Sequence, residues 1–430
     1  MTSPTTERKR FPLHRRWVVL CVGFLIMASG FALRNAFSVF YPAVVSEFGW
    51  SRGNTAIMFS LSIFVYGVLS PVVGGLIDRF RPQLVIGIGI GIMGGSIALC
   101  GLATQEWHFY LLYGVIAAVG VSMFGITPLA AVITPWFSKH RALVFAVLAA
   151  GFGVSLVAAS LVQLLISAYG WQQALTISGL AVAAVMVPLT LVFLRRPPMS
   201  ATVLPQSVPA AEAEASKGGQ DTETSQGWHA REWTLRRALK TPQFWMLWIA
   251  GFCQLGLAEK AVIAHEVYFF QDVGYSPIQA ASVYSVFGLL FIVGNLVSTF
   301  SDKIGREKVY LPACGLAVLG TASLFLISDA SQPWMAYMFA VVFGFGMGIM
   351  PPVLFASVAD FFHGRSYGAI MGMVTFGFSM GGALGPWLAG YMHDVSGSYD
   401  STIIMLLAAL LACGLLVWLA APRKFVPVRG

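Results

Sequence analysis

The sequence predicts an all-α membrane protein, twelve transmembrane helices arranged as two pseudo-symmetric six-helix bundles. Three observations predict it. Of 430 residues, 57% are hydrophobic and only 10% charged, against about 45 to 50% and 25% in soluble domains, so too few ionisable side chains remain to cover a water-soluble globule. The apolar residues gather into runs of about 20 or more, long enough to cross a hydrocarbon core of roughly 30 Å. The second half of the chain also repeats the turn signatures of the first at a nearly constant offset.

Residues 1–16 form a basic N-terminal tail. Arg8-Lys9-Arg10 and Arg15-Arg16 before an apolar run also fit a signal peptide, but cleavage would remove a helix that the repeat requires. The first bundle covers residues 17–194, with helices starting near Trp17, Thr55, Leu84, Phe109, Ala142 and Trp171. Residues 195–242 read as a cytoplasmic linker, rich in Pro, Ser, Ala, Glu and Gly through Gly227 and without apolar period. At its end Trp233, Leu235, Ala238 and Leu239 interleave with Arg231, Arg236, Arg237 and Lys240. That pattern suits an amphipathic helix on the inner leaflet, or a solvated basic approach to helix seven. The second bundle covers 243–421, with helices starting near Phe244, Ile278, Val309, Trp334, Ser366 and Thr402, and residues 422–430 form the C-terminal tail. Glycines such as Gly87, Gly89, Gly91, Gly94 and Gly95, or Gly344, Gly346 and Gly348, are expected to let helix backbones approach closely.

The net charge of +8 does not point to nucleic acid, because the basic residues lie in ones and twos between apolar runs. It reads as topology. With a cytoplasmic N-terminus, 23 of the 26 Lys and Arg fall in the tails and the loops after helices two, four, six, eight and ten. Arg52 alone falls on the other side, and Arg34 and Lys260 fall within helices. The positive-inside rule therefore puts both termini in the cytoplasm of a multi-pass protein of the cytoplasmic membrane. The five cysteines each sit in an apolar run with no CxxC pair or Cys/His cluster, so neither disulfides nor a metal is expected.

Gly74-Gly75-Leu76-Ile77-Asp78-Arg79 ends helix two and Ser298-Thr299-Phe300-Ser301-Asp302-Lys303 ends helix eight, 224 residues later. The offset also pairs Arg141 with Arg365 and Pro128 with Pro352, and upstream it becomes 225, pairing Gly49-Trp50-Ser51 with Gly274-Tyr275-Ser276. Parallel repeats with a ligand at their interface describe many secondary transporters. Asp78, Arg79, Arg141, Asp302, Lys303, Arg306 and Arg365 then form a candidate cytoplasmic gate, its ion pairs made when the cavity faces outward and parted when it faces inward. Positive-inside anchoring is the simpler account of the same residues.

These residues resemble the major facilitator superfamily, whose loop after helix two carries an Asp-Arg pattern followed by Gly and basic residues; Asp302-Lys303-Ile304-Gly305-Arg306 fits it, while Arg81 stands where the family has Gly. Trp136-Phe137-Ser138-Lys139-His140-Arg141-Ala142-Leu143, running on to Ala150-Gly151, resembles the helix-five signature of the monocarboxylate porters. Trp233-Thr234-Leu235-Arg236-Arg237-Ala238-Leu239 with Pro242, Phe244 and Trp245 is similar to bacterial members, including relatives of oxalate/formate exchangers. The resemblance implies the major facilitator fold and transport of a small organic anion, in the first place a monocarboxylate, by proton symport or exchange. It would also place an Arg and an acid in helix eight, where Gly294 and Leu290 stand.

A charge at bilayer depth costs roughly 2.5 to 3.5 kcal/mol on insertion scales and so needs a partner or a function. Arg34 in helix one and Glu259 with Lys260 in helix seven are the candidates, and the 225 offset aligns Arg34-Asn35 with Glu259-Lys260. Either Arg34 or Lys260 binds an anionic group with Glu259 as proton-linked partner, or Arg34 and Glu259 bridge the halves. His265 and Glu266 lie further along helix seven, and a titrating His there would sense external pH. Asn35 and Asn295, the asparagines inside the expected helices, are candidates to bond ligand or a neighbouring helix, and Phe124 and Tyr284 to line the cavity.

No Walker loop, paired GxSxG or HExxH is present, so the sequence disfavours a pump or an enzyme. No cofactor is expected; the partners are the small anion, protons and the bilayer, and the working unit is a monomer. An exporter of amphiphilic compounds, or a transporter-like sensor that binds without net flux, is the alternative.

Overall fold

Inside a bilayer no water satisfies backbone N–H and C=O groups, so each apolar run closes its own hydrogen bonds as a helix. The computed structural model describes residues 13–133, 136–137, 141–195, 233–362 and 367–420. Twelve helices among them are long and apolar enough to span a membrane. The first six are α1 (Arg15–Phe48), α2 (Arg52–Ser70), α3 (Pro82–Cys100), α4 (Glu106–Ile133), α5 (Val147–Tyr169) and α6 (Trp171–Phe193). The second six are α7 (Pro242–Asp272), α8 (Pro277–Ile304), α9 (Arg306–Leu326), α10 (Pro333–Phe361), α11 (Gly368–Ser396) and α12 (Asp400–Ala420). We call the face holding the start of α1 and the end of α12 the near face, and the opposite one the far face.

The duplication is visible in how the helices stop and start. Gly49 ends α1 at φ 66° and Gly274 follows α7 at φ 99°, a left-handed corner that glycine enters at no steric cost. Two residues on, Ser51 caps α2 by accepting the Asn54 N–H, and Ser276 caps α8 by accepting that of Gln279. The Ser51 cap moves the start of α2 from Thr55 back to Arg52, which brings Asn54 into the span as a third asparagine.

Within the halves, α3 packs on α6 and α10 on both α8 and α9; between them, α2 packs on α11 and α5 on α8. A Cβ on Gly94 would stand 2.6 Å from the Gly179 carbonyl oxygen, so α3 and α6 touch backbone to backbone. Not every glycine of that stretch does this, since a Cβ on Gly95 would meet nothing within 4 Å.

The end of the linker differs from the expected helix on the leaflet. Only Leu235–Ala238 is helical, capped by Thr234, whose side chain accepts the Arg237 N–H. Trp233 is buried with its ring edge-on to Phe362, centroids 5.1 Å apart, and the Trp245 indole donates to the Leu239 carbonyl at 2.8 Å. Four residues are too few for a free-standing helix, and the apolar side of this turn is spent on the second bundle. Residues 1–12, 196–232 and 421–430 lie outside the described residues.

Candidate functional site

The buried charges come from α1 and α7. α7 is α-helical from Pro242 to Gly251, π-helical over Phe252–Ala258, and α-helical again from Glu259. Such a bulge widens the helix turn locally and is frequent at functional sites. Immediately after it, Lys260 Nζ donates to Glu259 Oε1, while Glu259 Oε2 is buried without a partner. Lys260 also lies over the rings of Phe152 of α5, at 5.0 Å, and Phe378 of α11, at 5.5 Å. It therefore sits where the halves meet.

Arg34 of α1 is 6% exposed and forms no ion pair among the described residues. Its Nε is buried with no hydrogen-bond partner. Its guanidinium stands 5.3 Å from the Tyr66 ring, 5.8 Å from Phe59 and 5.9 Å from Phe31, contacts that give about 0.5 to 2 kcal/mol each without neutralising the charge. The Tyr113 hydroxyl donates to the Arg34 carbonyl. Glu259 pairs with Lys260, and Arg34 is left without a counter-ion among the described residues. The bridge between Arg34 and Glu259 is not formed: Glu259 bonds Lys260 through Oε1 alone, and Arg34 Nε and Glu259 Oε2 are both left without a partner.

The other predicted residues separate by role. Asn35 donates to Ser155 Oγ at 2.8 Å, tying α1 to α5. Asn295 donates to the Phe291 carbonyl of its own helix at 3.0 Å. Phe124 is fully buried, against Gly30 and edge-on to Phe31. Both His265 nitrogens are engaged: Nε2 lies 2.8 Å from the Pro386 carbonyl, which only accepts, so Nε2 carries the proton and Nδ1 accepts from the Tyr399 hydroxyl at 3.0 Å. Tyr284 is fully buried with its hydroxyl unpartnered. Gly294 faces α10, where a Cβ would come 2.4 Å from the Phe345 carbonyl oxygen; no arginine fits there.

At the near face Arg306 pairs inside the second half, with Asp302 and, at 2.8 Å, with Asp360 of α10, and it donates to Ser301 at 2.7 Å. Arg79 and Lys303 are exposed. The side chains of Asp78, Arg141 and Arg365 fall outside the described residues. A cluster that the sequence did not reveal lies at the far face. Arg52 forms a bidentate pair with Asp272 of α7, its second bond 2.9 Å long, and its guanidinium covers the Tyr268 ring at 3.8 Å. The Asp394 carboxylate of α11 accepts the Arg52 and Gly53 N–H groups at 2.9 and 2.7 Å, capping α2 from the opposite half. Tyr399 joins at 3.2 Å, and His393 lies 3.8 Å from Asp272. The one available signal was Arg52 itself, the single base outside the tails, the near-face loops and the helix interiors.

These bonds tie the two halves together at the far face. At mid-depth the halves still touch: Ser160 and Ser285 hydroxyls lie 2.8 Å apart, and a Cβ on Gly153 would strike Ile292. Toward the near face a Cβ on Gly75, just beyond α2, or on Gly368 or Gly372 of α11, would meet nothing within 4 Å, as on Gly95 of α3.

The profile of the Major Facilitator Superfamily matches residues 20–370 and 330–429. The chain is similar to monocarboxylate transporter 13 of Rattus norvegicus, 27% identical across 92% of this chain and 86% of the relative. It is similar also to the uncharacterized MFS-type transporter YcxA of Bacillus subtilis, 25% identical across 96% of this chain and 95% of that one. Among solved structures, a bacterial homolog of the human lysosomal transporter Spinster aligns over 98% of this chain and 99% of its own. Its inward-facing unoccupied form gives a TM-score of 0.66 at 18% identity, and its inward-facing occupied form 0.69 at 17%. At those identities the likeness speaks for the fold alone.

Proposed function

The chain belongs to the Major Facilitator Superfamily, a family of non-enzymatic transporters, and from that premise we propose that it carries a small organic anion, in the first place a monocarboxylate, across the cytoplasmic membrane by alternating access. The observation that carries this reading is the pair of buried cations, Arg34 and Lys260, set against the single carboxylate Glu259. The surplus positive charge is costly at bilayer depth, and a bound carboxylate relieves it through charge-assisted hydrogen bonds to Arg34. Lys260 is then shared between Glu259 and substrate, and Glu259 either takes a proton, giving symport, or waits for a second anion, giving exchange. The monocarboxylate transporters among the relatives support the same substrate class.

The distribution of Lys and Arg supports cytoplasmic termini. The near face is then cytoplasmic, and the far-face cluster that ties Arg52 to Asp272 and Asp394 across the halves acts as a closed outer gate, which supports an inward-facing reading. The Asp302–Arg306 pair and its near-face neighbours are free to meet the other half when the protein turns outward. The carrier works as a monomer.

The test is uptake of labelled lactate and of labelled oxalate into proteoliposomes, with and without an inward proton gradient. Wild type accumulates lactate; Arg34→Ala binds it more weakly, and Glu259→Gln loses pH dependence. Absence of carboxylate flux in wild type, or unaltered affinity and pH dependence in both variants, overturns the reading and turns attention to amphiphile efflux.

A further inference from the structure

The far-face cluster sets two carboxylates against one permanent cation. Arg52, on the first half, forms the bidentate pair with Asp272, while Asp394 spends its oxygens on the Arg52 and Gly53 N–H groups. Beside them stands a base that is charged only when protonated. His393 Nε2 lies 3.8 Å from Asp272 Oδ2, and His393 belongs to the same half as both carboxylates. It occupies the last turn of α11, the carbonyl end of the helix, which favours a cation. Its side chain is 15% exposed and that of Asp272 31%, so water at the far face reaches the pair.

Each element around His393 supplies its own groups. α2 brings Arg52, and α7 brings Asp272, the Tyr268 ring beneath Arg52 and, through the Tyr399 hydroxyl, His265. α11 itself adds Asp394. The Tyr399 ring lies 4.6 Å from the imidazole, and its hydroxyl accepts from Arg52 at 3.2 Å. From α1 comes Tyr41, whose hydroxyl donates to the Arg52 carbonyl at 2.8 Å. At the start of α12 Asp400 accepts from the Ser398 hydroxyl at 3.2 Å. His265 has no nitrogen left for a further proton while Nε2 donates to Pro386 and Nδ1 accepts from Tyr399. The base open to outside water in this cluster is His393.

We propose that His393 is a proton-operated release for the outer gate, worked from the outside. This rests on the reading above of the far-face cluster as that gate. With the gate shut, an imidazolium beside Asp272 competes with Arg52 for the same carboxylate and repels its guanidinium. With the gate open, Arg52 has left with the first half, and Asp272 and Asp394 have the imidazolium to themselves. The charged ring is therefore favoured more in the open arrangement than in the shut one. By linkage, a proton on His393 shifts the population toward open. A neutral His393 leaves Asp272 to Arg52, and the gate stays shut. The ring takes its proton from outside water and returns it there. Acid outside thus sets how often the carrier faces outward, without the proton being part of what is carried.

The test follows the gate itself, in the full-length protein in lipid nanodiscs with spin labels at Asn54 and Val395. No substrate enters the measurement, so it stands apart from the question of what is carried. From about pH 8 down to about pH 5, the range in which an imidazole titrates, the long-distance population of wild type should rise. The expected rise is about fivefold, the size of losing a part-exposed ion pair. His393→Gln, neutral throughout, should hold the short distance at every pH, and His393→Lys, charged throughout, the long one. Arg52→Ala should give the long distance at both ends of the range. A wild-type distance that shortens or stays fixed on acidification overturns the release, and so does a pH response that survives in His393→Gln. If Arg52→Ala keeps the short distance, the gate reading itself falls and takes the release with it.

Discussion

α1 and α7 occupy matched places in the two halves and end on the same kind of glycine corner, yet they carry different chemistry. Under the 225-residue offset Arg34 and Asn35 stand where α7 has Glu259 and Lys260, and Phe40 and Tyr41 stand where it has His265 and Glu266. α1 offers one cation set among aromatic rings; α7 offers an ion pair and two further titratable groups. What is duplicated is what makes helices begin and end. What is not duplicated is what a ligand meets. Two like bundles can rock about a shared axis, and unlike middles give one small, asymmetric ligand a single way to sit.

Variants that remove one member of this contrast should differ in size of effect. The largest belongs to α7: Lys260→Ala strands the buried Glu259 carboxylate, and breaking a buried pair from one side costs about 3 to 5 kcal/mol. Thermal unfolding of the purified protein in detergent should drop sharply, and Lys260→Ala with Glu259→Gln should recover most of it. Arg34→Ala strands no partner. It should fold normally and weaken lactate binding about tenfold to a hundredfold, the equivalent of a charge-assisted hydrogen bond of about 1.5 to 3 kcal/mol; equal stability losses at both positions would erase the contrast. Next comes Arg52→Ala at the far face, where a part-exposed pair is worth about 1 kcal/mol and its loss shifts the population about fivefold toward the open outer gate. Spin labels at Asn54 and Val395 should report the widening as a longer distance population. The smallest effect is Asn295→Leu, expected within about 0.5 kcal/mol of wild type and without effect on lactate uptake; a change in uptake would return Asn295 to the ligand site.

The span positions were legible because hydropathy is local: the starts expected near Trp171, Phe244 and Trp334 lie within two residues of those observed. The Gly-aromatic-Ser corners were legible because a left-handed turn and a cap each need particular residues. The costly charges at Arg34, Glu259 and Lys260 announced themselves by position alone. Their pairing did not. Adjacent residues on a helix point about 100° apart, so a bond between Glu259 and Lys260 is not what spacing suggests, and a bridge to Arg34 looked as reasonable. The far-face cluster was hidden for another reason. Arg52 lies 220 residues from Asp272 and 342 from Asp394, and charges at helix ends read as solvated until the fold brings them together. The docked linker end was misjudged because amphipathic spacing is the same whether the apolar side meets lipid or Phe362.

The π-helical stretch of α7 has a consequence of arithmetic. Phe252–Ala258 winds one residue more into its length than an α-helix would, and its wider turn advances the chain by fewer degrees per residue than the roughly 100° of an α-helix. The two differences nearly cancel, so deleting one position there would let the stretch close up as α-helix with Glu259, Lys260 and Glu266 near their present bearing. The same deletion inside Glu259–Asp272 has no wide turn to absorb it and would swing everything beyond it by about 100°. α7 thus tolerates a change of length just before its charges and not after them.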